Sequence, residues 1–241
     1  VLRAAGELER AAAIYDLILA VSPKEPEAWK GKEEYLVAHG KLEALVDFLS
    51  KRAELAENDG QRAALLERAA NIAERELNNP RLAVSLQERR ASIPAASADA
   101  LGTLVTLYDA ISDNNGLRSA LERQLTLTGN PRARIELLRR LGAHCAHRLD
   151  DGARAEACWQ QILSAVPDDR EVREELTALY RKRGDFEAVD RALMSQAWRP
   201  SDDANLLAIW RASAVNLQEN ITDSERTIAA WRRVLDLAPD D

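Results

Sequence analysis

Four side chains come nearest to a metal or nucleophile constellation: His144, Cys145 and His147 in one segment, and Cys158 in the next. Zinc needs four nitrogen or sulfur ligands converging on one point. On a helix, His144 and His147 share a face and Cys145 points elsewhere, while Cys158 lies on the partner helix just before Trp159. The expectation is two buried thiols and two surface or groove imidazoles. His39 is the remaining histidine. No Ser/His/Asp or Cys/His set stands where a turn would expose a nucleophile. The glycines are scattered at helix ends rather than gathered into a phosphate loop. The residues therefore point to no catalytic group, no metal and no cofactor.

Bulk composition narrows the classes further. The chain has 241 residues, 46 % hydrophobic and 30 % charged, with a net charge of −7. That is ample for a large core and for soluble helices with solvated faces. A net-negative chain is poorly suited to neutralising phosphates, so nucleic acid is not an expected partner. Arg is abundant and Lys scarce, a bias that by itself implies no function. Two cysteines make no disulfide framework and fit a reducing compartment such as the cytoplasm. No apolar run approaches a membrane-spanning length. The first residues are Val1-Leu2-Arg3, which suggests a piece of a longer protein.

The chain repeats itself. Tyr15, Leu86, Trp159 and Trp231 each precede a proline by eight positions, and those prolines (23, 94, 167, 239) are spaced 71, 73 and 72 apart. Leu65-Leu66-Glu67-Arg68 matches Leu137-Leu138-Arg139-Arg140 at a spacing of 72. Pairs ending in proline alternate with pairs whose turn carries glycine, read at Gly40, Gly116 and Gly184. The apolar spacing is helical, as at 172, 176, 179 and 180. The expected helices are 7–21, 26–39, 41–57, 60–77, 80–91, 97–112, 116–128, 131–149, 152–165, 169–183, 185–197, 202–219 and 222–237. Asp168-Asp169, Ser201-Asp202 and Thr222-Asp223 are expected N-caps. Gly40 and Gly184 are expected in the left-handed conformation. The tryptophans Trp29, Trp159, Trp210 and Trp231 read as core, and Trp198, in a loop and outside that register, is the one of the five best placed to be exposed.

These features resemble the tetratricopeptide (TPR) family. The residues that carry the likeness are Trp29…Gly40, Leu141-Gly142…Cys145, Leu176…Tyr180…Gly184-Asp-Phe-Glu-Ala188, and the closing prolines. The chain departs from that pattern at Ala70 and Ser213, where a Gly would stand, and at Cys145, where an aromatic is usual. The reading is a degenerate TPR-like array, with a HAT-like or other α-solenoid as the alternative. The resemblance implies an all-α solenoid of antiparallel helix pairs, about thirteen helices in a right-handed superhelix. Residues 1–241 would form a single repeat array that continues on both sides.

The resemblance also implies that first helices line a concave groove. Arg68, Asn71, Arg139, Arg140, Trp210 and Arg211 would then face a partner. Arg68, Arg140 and Arg211 recur at spacings of 72 and 71. Such a row either grips carboxylates of an acidic partner or pairs with acids of adjacent repeats, the second being the expected outcome. The implied function is a non-catalytic protein-interaction scaffold. Its alternatives are a building block or spacer of a large assembly and, less favoured, an RNA-binding repeat.

Overall fold

The computed structural model describes residues 8–197 and 203–239. The regular elements of these residues are all helical. They are α1 (Leu8–Val21), α2 (Pro26–Ala38), α3 (Leu42–Glu54), α4 (Asp59–Arg75), α5 (Pro80–Ala91), α6 (Ser97–Ala110), α7 (Asn114–Leu127), α8 (Pro131–His147), α9 (Gly152–Ala165), α10 (Arg170–Arg183), α11 (Phe186–Ala197), α12 (Asp203–Asn216) and α13 (Ser224–Leu237). A 3-10 turn at Pro94–Ala96 precedes α6, and a π turn at Leu217–Ile221 follows α12. Within each of two compact units, Val1–Gly129 and Asn130–Asp241, sequential helices pack on one another.

The repeat is written most clearly in the turns. Asn78, Asp150 and Thr222 take positive φ (48°, 53° and 58°), and each follows its predecessor by 72 residues. Gly40, Ser112 and Gly184 do the same (61°, 57° and 71°), again 72 apart. The residue after each left-handed position opens the next helix. Asn79, Asp151 and Asp223 accept from the backbone N–H of Leu82, Arg154 and Arg226. Asp113 and Asp185 accept from Gly116 and Ala188. Such a cap stabilises a helix by about 1 kcal/mol. Short polar residues tolerate the left-handed region better than others do, because their side chains bond locally. Only two of these six positions need glycine.

Three expectations change here. Gly116 is not the turn residue: it lies inside α7, and Ser112 takes the left-handed conformation. Asp169 caps α10 through the Val172 N–H, whereas Asp168 pairs with Arg173 at 3.1 Å. Asp223 caps α13, while Thr222 is the left-handed residue before it. Ser201-Asp202 and Trp198 lie outside the described residues.

The helix starts also correct the register. α1, α5, α9 and α13 begin at 8, 80, 152 and 224, so Gln87, not Leu86, is the counterpart of Trp159. Gln87 is buried at that position. Trp29 and Trp159 are core, but Trp210 and Trp231 are only half-buried.

Close packing explains the interior glycines. A Cβ on Gly116 would lie 2.3 Å from the Tyr108 ring, one on Gly31 would lie 2.2 Å from Tyr15, and one on Gly142 would lie 2.7 Å from Trp159 Nε1. At each site a ring occupies the space a methyl would need. The first unit's core runs through Trp29, Leu49, Leu66, Leu86 and Leu107. The second unit has smaller clusters around Val189, Leu193 and Ile209, and around Ala214, Leu217 and Ala230.

Gly116→Ala should therefore cost about 1–3 kcal/mol despite alanine's better helix propensity. Gly102→Ala, whose Cβ would meet nothing nearer than 3.8 Å, should stabilise by up to about 1 kcal/mol. Urea unfolding of the two variants reads the difference; equal effects would refute the packing account.

Candidate partner-binding surface

Within each unit, ion pairs stitch helix pairs to their neighbours. In the first unit, Glu33 on α2 receives Arg52 of α3 at 2.9 Å and Arg68 of α4. Arg89 of α5 reaches Glu54 of α3 at 3.1 Å. Glu88 of α5 accepts from the Tyr108 hydroxyl at 2.9 Å and from Arg123 at 2.7 Å, tying α5 to α6 and α7. In the second unit, Arg139 of α8 reaches Asp169 at 2.6 Å and Glu171 at 3.0 Å. Glu156 of α9 accepts from Tyr180 at 2.9 Å and Arg183 at 2.6 Å. Arg226 of α13 spans to Glu187 and to buried Asp190, which also accepts from the Ser213 hydroxyl at 2.5 Å.

The electrostatics follow this network. The carboxylates of Glu187 and Asp190 push the Arg226 guanidinium above its usual range. Burial pushes the Asp169 carboxyl up, but Arg139, the Val172 N–H and Arg173 outweigh it and hold the group below the usual carboxylate range. Burial first, and the Glu88 carboxylate second, push the Tyr108 phenol up to about 12.

The six residues expected to face a partner are thus distributed as follows. Arg68 is committed to Glu33 and Arg139 to Asp169 and Glu171. Asn71 and Arg140 are exposed, and neither makes a side-chain hydrogen bond or ion pair among the described residues. Trp210 packs beside Ala214, Leu217 and Ala230. Its other side borders an open hollow of about 590 Å3, lined also by Met194, Ala197, Leu206 and Leu237. Arg211 is exposed on α12 beside a second hollow with Phe186 and Val215.

The arginine row itself does not align. Ala69, Leu141 and Ser213 are buried at spacings of 72, as are Ala70, Gly142 and Ala214. Arg211 is therefore the counterpart of Arg139, and Ala212 stands where Arg68 and Arg140 do. Arg68 and Asn71 belong to the first unit and the other four to the second.

The cysteine–histidine segment divides differently from expectation. Cys145 and Cys158 are buried thiols, but His144 is buried too, and only His147 is exposed, 3.5 Å from Glu175. Among the described residues no group of three or more His, Cys, Asp or Glu could hold a metal ion.

Two features had escaped the sequence reading. Arg90 is buried where the other repeats place Ile18, Ile162 and Val234; it pairs with Asp99 at 2.6 Å and Glu67 at 3.2 Å, and its Nε has no partner. The second is a lysine-rich groove, signalled by five of the six lysines falling between 24 and 51.

Tyr108 should titrate near pH 12 in tyrosinate absorbance. Its pKa is raised, so the stability it contributes is present below about pH 10 and is lost as pH rises through about 12. Glu88→Gln should lower that pKa but leave it above 10, because burial is the larger cause. An unchanged titration in this variant would break the assignment.

No protein-family model matches the sequence, and no curated protein sequence does either. Solved structures are similar in fold. A chain of the Naa15/Naa10 complex bound to HypK-THB is 17 % identical with a TM-score of 0.56, over 98 % of this chain and 35 % of that one. The C-terminal part of a TPR repeat-containing protein from Cytophaga hutchinsonii is 12 % identical at 0.44, over 97 % and 92 %. YrrB, described as a TPR protein with an unusual peptide-binding site, is 15 % identical at 0.42, over 74 % and 87 %. With thirteen helices among the described residues, packed in sequence within each unit, the chain is a degenerate TPR-like α-solenoid in fold.

Proposed function

We propose that the chain is a non-catalytic protein-interaction module that holds a partner protein through its repeat surface. The observation that carries this reading is the open apolar hollow on α11, α12 and α13, where Met194, Leu206, Trp210 and Leu237 meet. Apolar hollows bordered by methionine and tryptophan suit the anchoring side chains of a partner. Arg233 and Asp236 on its border give the polar rim typical of protein interfaces. The helical-repeat scaffold supports this reading, since stacked pairs present long continuous helix faces.

The net charge of −7 disfavours nucleic acid. No helix among the described residues is long and apolar enough to cross a membrane. A second reading is that of a building block in a larger assembly. It is favoured by exposed apolar side chains on α1 and α13, such as Leu17, Val21, Ile228 and Leu235.

Cross-linking of the affinity-purified protein tests the first reading. A partner protein should cross-link to α11–α13, and Leu206→Glu should reduce that yield about tenfold or more, since hot-spot losses reach 2 kcal/mol and above. No protein partner, together with turnover of a small molecule, would sink it.

A further inference from the structure

Lys32, Lys41 and Lys51 line one open groove of about 510 Å3 over α1, α2 and α3. Their clustering departs from a chain whose other cations are nearly all arginine. Ala12 of α1 and Phe48 of α3 form apolar walls, and Tyr35 and Leu36 of α2 lie between them. Phe48 and Leu36 are themselves buried.

The 72-residue register supplies an internal picture of what such a groove holds. In the next repeat, Glu88, Tyr108 and Arg123 occupy the positions of Asp16, Leu36 and Lys51. There the Glu88 carboxylate accepts hydrogen bonds from the Tyr108 hydroxyl at 2.9 Å and from the Arg123 guanidinium at 2.7 Å. Two repeats after the lysine groove, Glu156 is again held by a tyrosine, Tyr180, and an arginine, Arg183. In both places a glutamate carried on a helix sits between a phenol and a cation.

The first repeat does not make this closure. Asp16 is one methylene shorter than Glu88, and its carboxylate is taken by Lys32 at 2.5 Å. Lys51 makes no ion pair or hydrogen bond among the described residues, and Asp47, one turn before it on the groove's edge, does not close on it. Lys41 Nζ donates to the Tyr35 hydroxyl at 2.7 Å and lies 4.8 Å from the ring centroid. Having accepted there, the hydroxyl keeps its own hydrogen to donate.

We propose that this groove takes a glutamate or aspartate side chain of a partner protein. Lys51, at the position of Arg123, and the Tyr35 hydroxyl, one position before that of Tyr108, supply a cation and a phenol as Arg123 and Tyr108 do to Glu88. The walls at Phe48 and Leu36 take the aliphatic stem of the acid, which a free small anion lacks. The proposal rests on the protein-interaction reading and gives the partner's chemistry at a surface separate from the α11–α13 hollow.

The test is calorimetric titration of the full chain with a synthetic helical peptide carrying Glu and Leu at helical spacing. Its all-Gln counterpart, sodium acetate and inorganic phosphate are the comparison arms. The Glu peptide should bind, and should weaken about tenfold or more in Lys51→Gln and at high salt. The all-Gln peptide, acetate and phosphate should show no Lys51-dependent binding. The double variant Asp16→Glu with Lys51→Arg restores the acid and the cation of the second repeat, so that an internal glutamate competes for the groove. It should keep its helicity and melting temperature and lose the Glu peptide by a similar factor.

No binding of the Glu peptide overturns the proposal, as does equal binding of the all-Gln peptide or an unaffected double variant. Phosphate or acetate binding with the same Lys51 dependence identifies a small-anion site instead and also overturns it. Leu206→Glu reads the scaffold function through the other surface, so either claim can fail while the other stands.

Discussion

A left-handed residue followed at once by a helix N-cap is the constraint on which the rest of this structure depends. It closes the turn between the two helices of a pair, and it recurs at Gly40, Asn78, Ser112, Asp150, Gly184 and Thr222. The left-handed residue reverses the chain within two or three positions, and at every turn but that of Gly40 the cap side chain satisfies an N–H group that the new helix would otherwise leave orphaned. Because each turn keeps its place in a 72-residue interval, every side chain inherits a defined neighbour. Gly142 can then be the residue beneath Trp159, and Gly116 the residue beneath Tyr108.

Once the turns set the register, polar chemistry is divided between cohesion and recognition. Some arginines of the first helices serve cohesion: Arg68, Arg139 and Arg183 reach acids of a neighbouring pair. These contacts are partly exposed and individually modest, about 0–1 kcal/mol each. Their value lies in repetition and in excluding other registers. The two surfaces proposed for recognition stand where the repeat pattern lapses. The groove beside Lys51 carries Asp16 where the next repeat has Glu88, and the hollow beside Trp210 stays open among the described residues.

Much of this was legible in the sequence. Helix boundaries fell within a few residues because caps, prolines and apolar spacing are local signals. Gly40 and Gly184 were recognisable, but Ser112 was not, since serine does not advertise a left-handed conformation as glycine does. The register slipped by one residue at Leu86 because Pro94 was aligned with Pro167. Pro94 begins a 3-10 turn one position early, whereas Pro23, Pro167 and Pro239 keep the interval. The same slip in counting made Arg211 look like a partner of Arg140. Which acid each arginine would meet was not legible, because pairs such as Arg139–Asp169, Arg123–Glu88 and Arg226–Glu187 join residues 30 to 39 positions apart across helix faces.

The central claim is that the folding unit of this chain is 72 residues long. Deleting residues 80–151 joins Asn79 to Gly152, so that α4 runs into α9 with the turn residues Asn78 and Asn79 intact. Circular dichroism with thermal unfolding should show a cooperative helical protein with unchanged helicity per residue. A deletion two residues longer, which rotates the following helix by about 200°, should lose cooperativity. If both deletions fold equally well, or neither folds, the 72-residue register is not what organises the molecule.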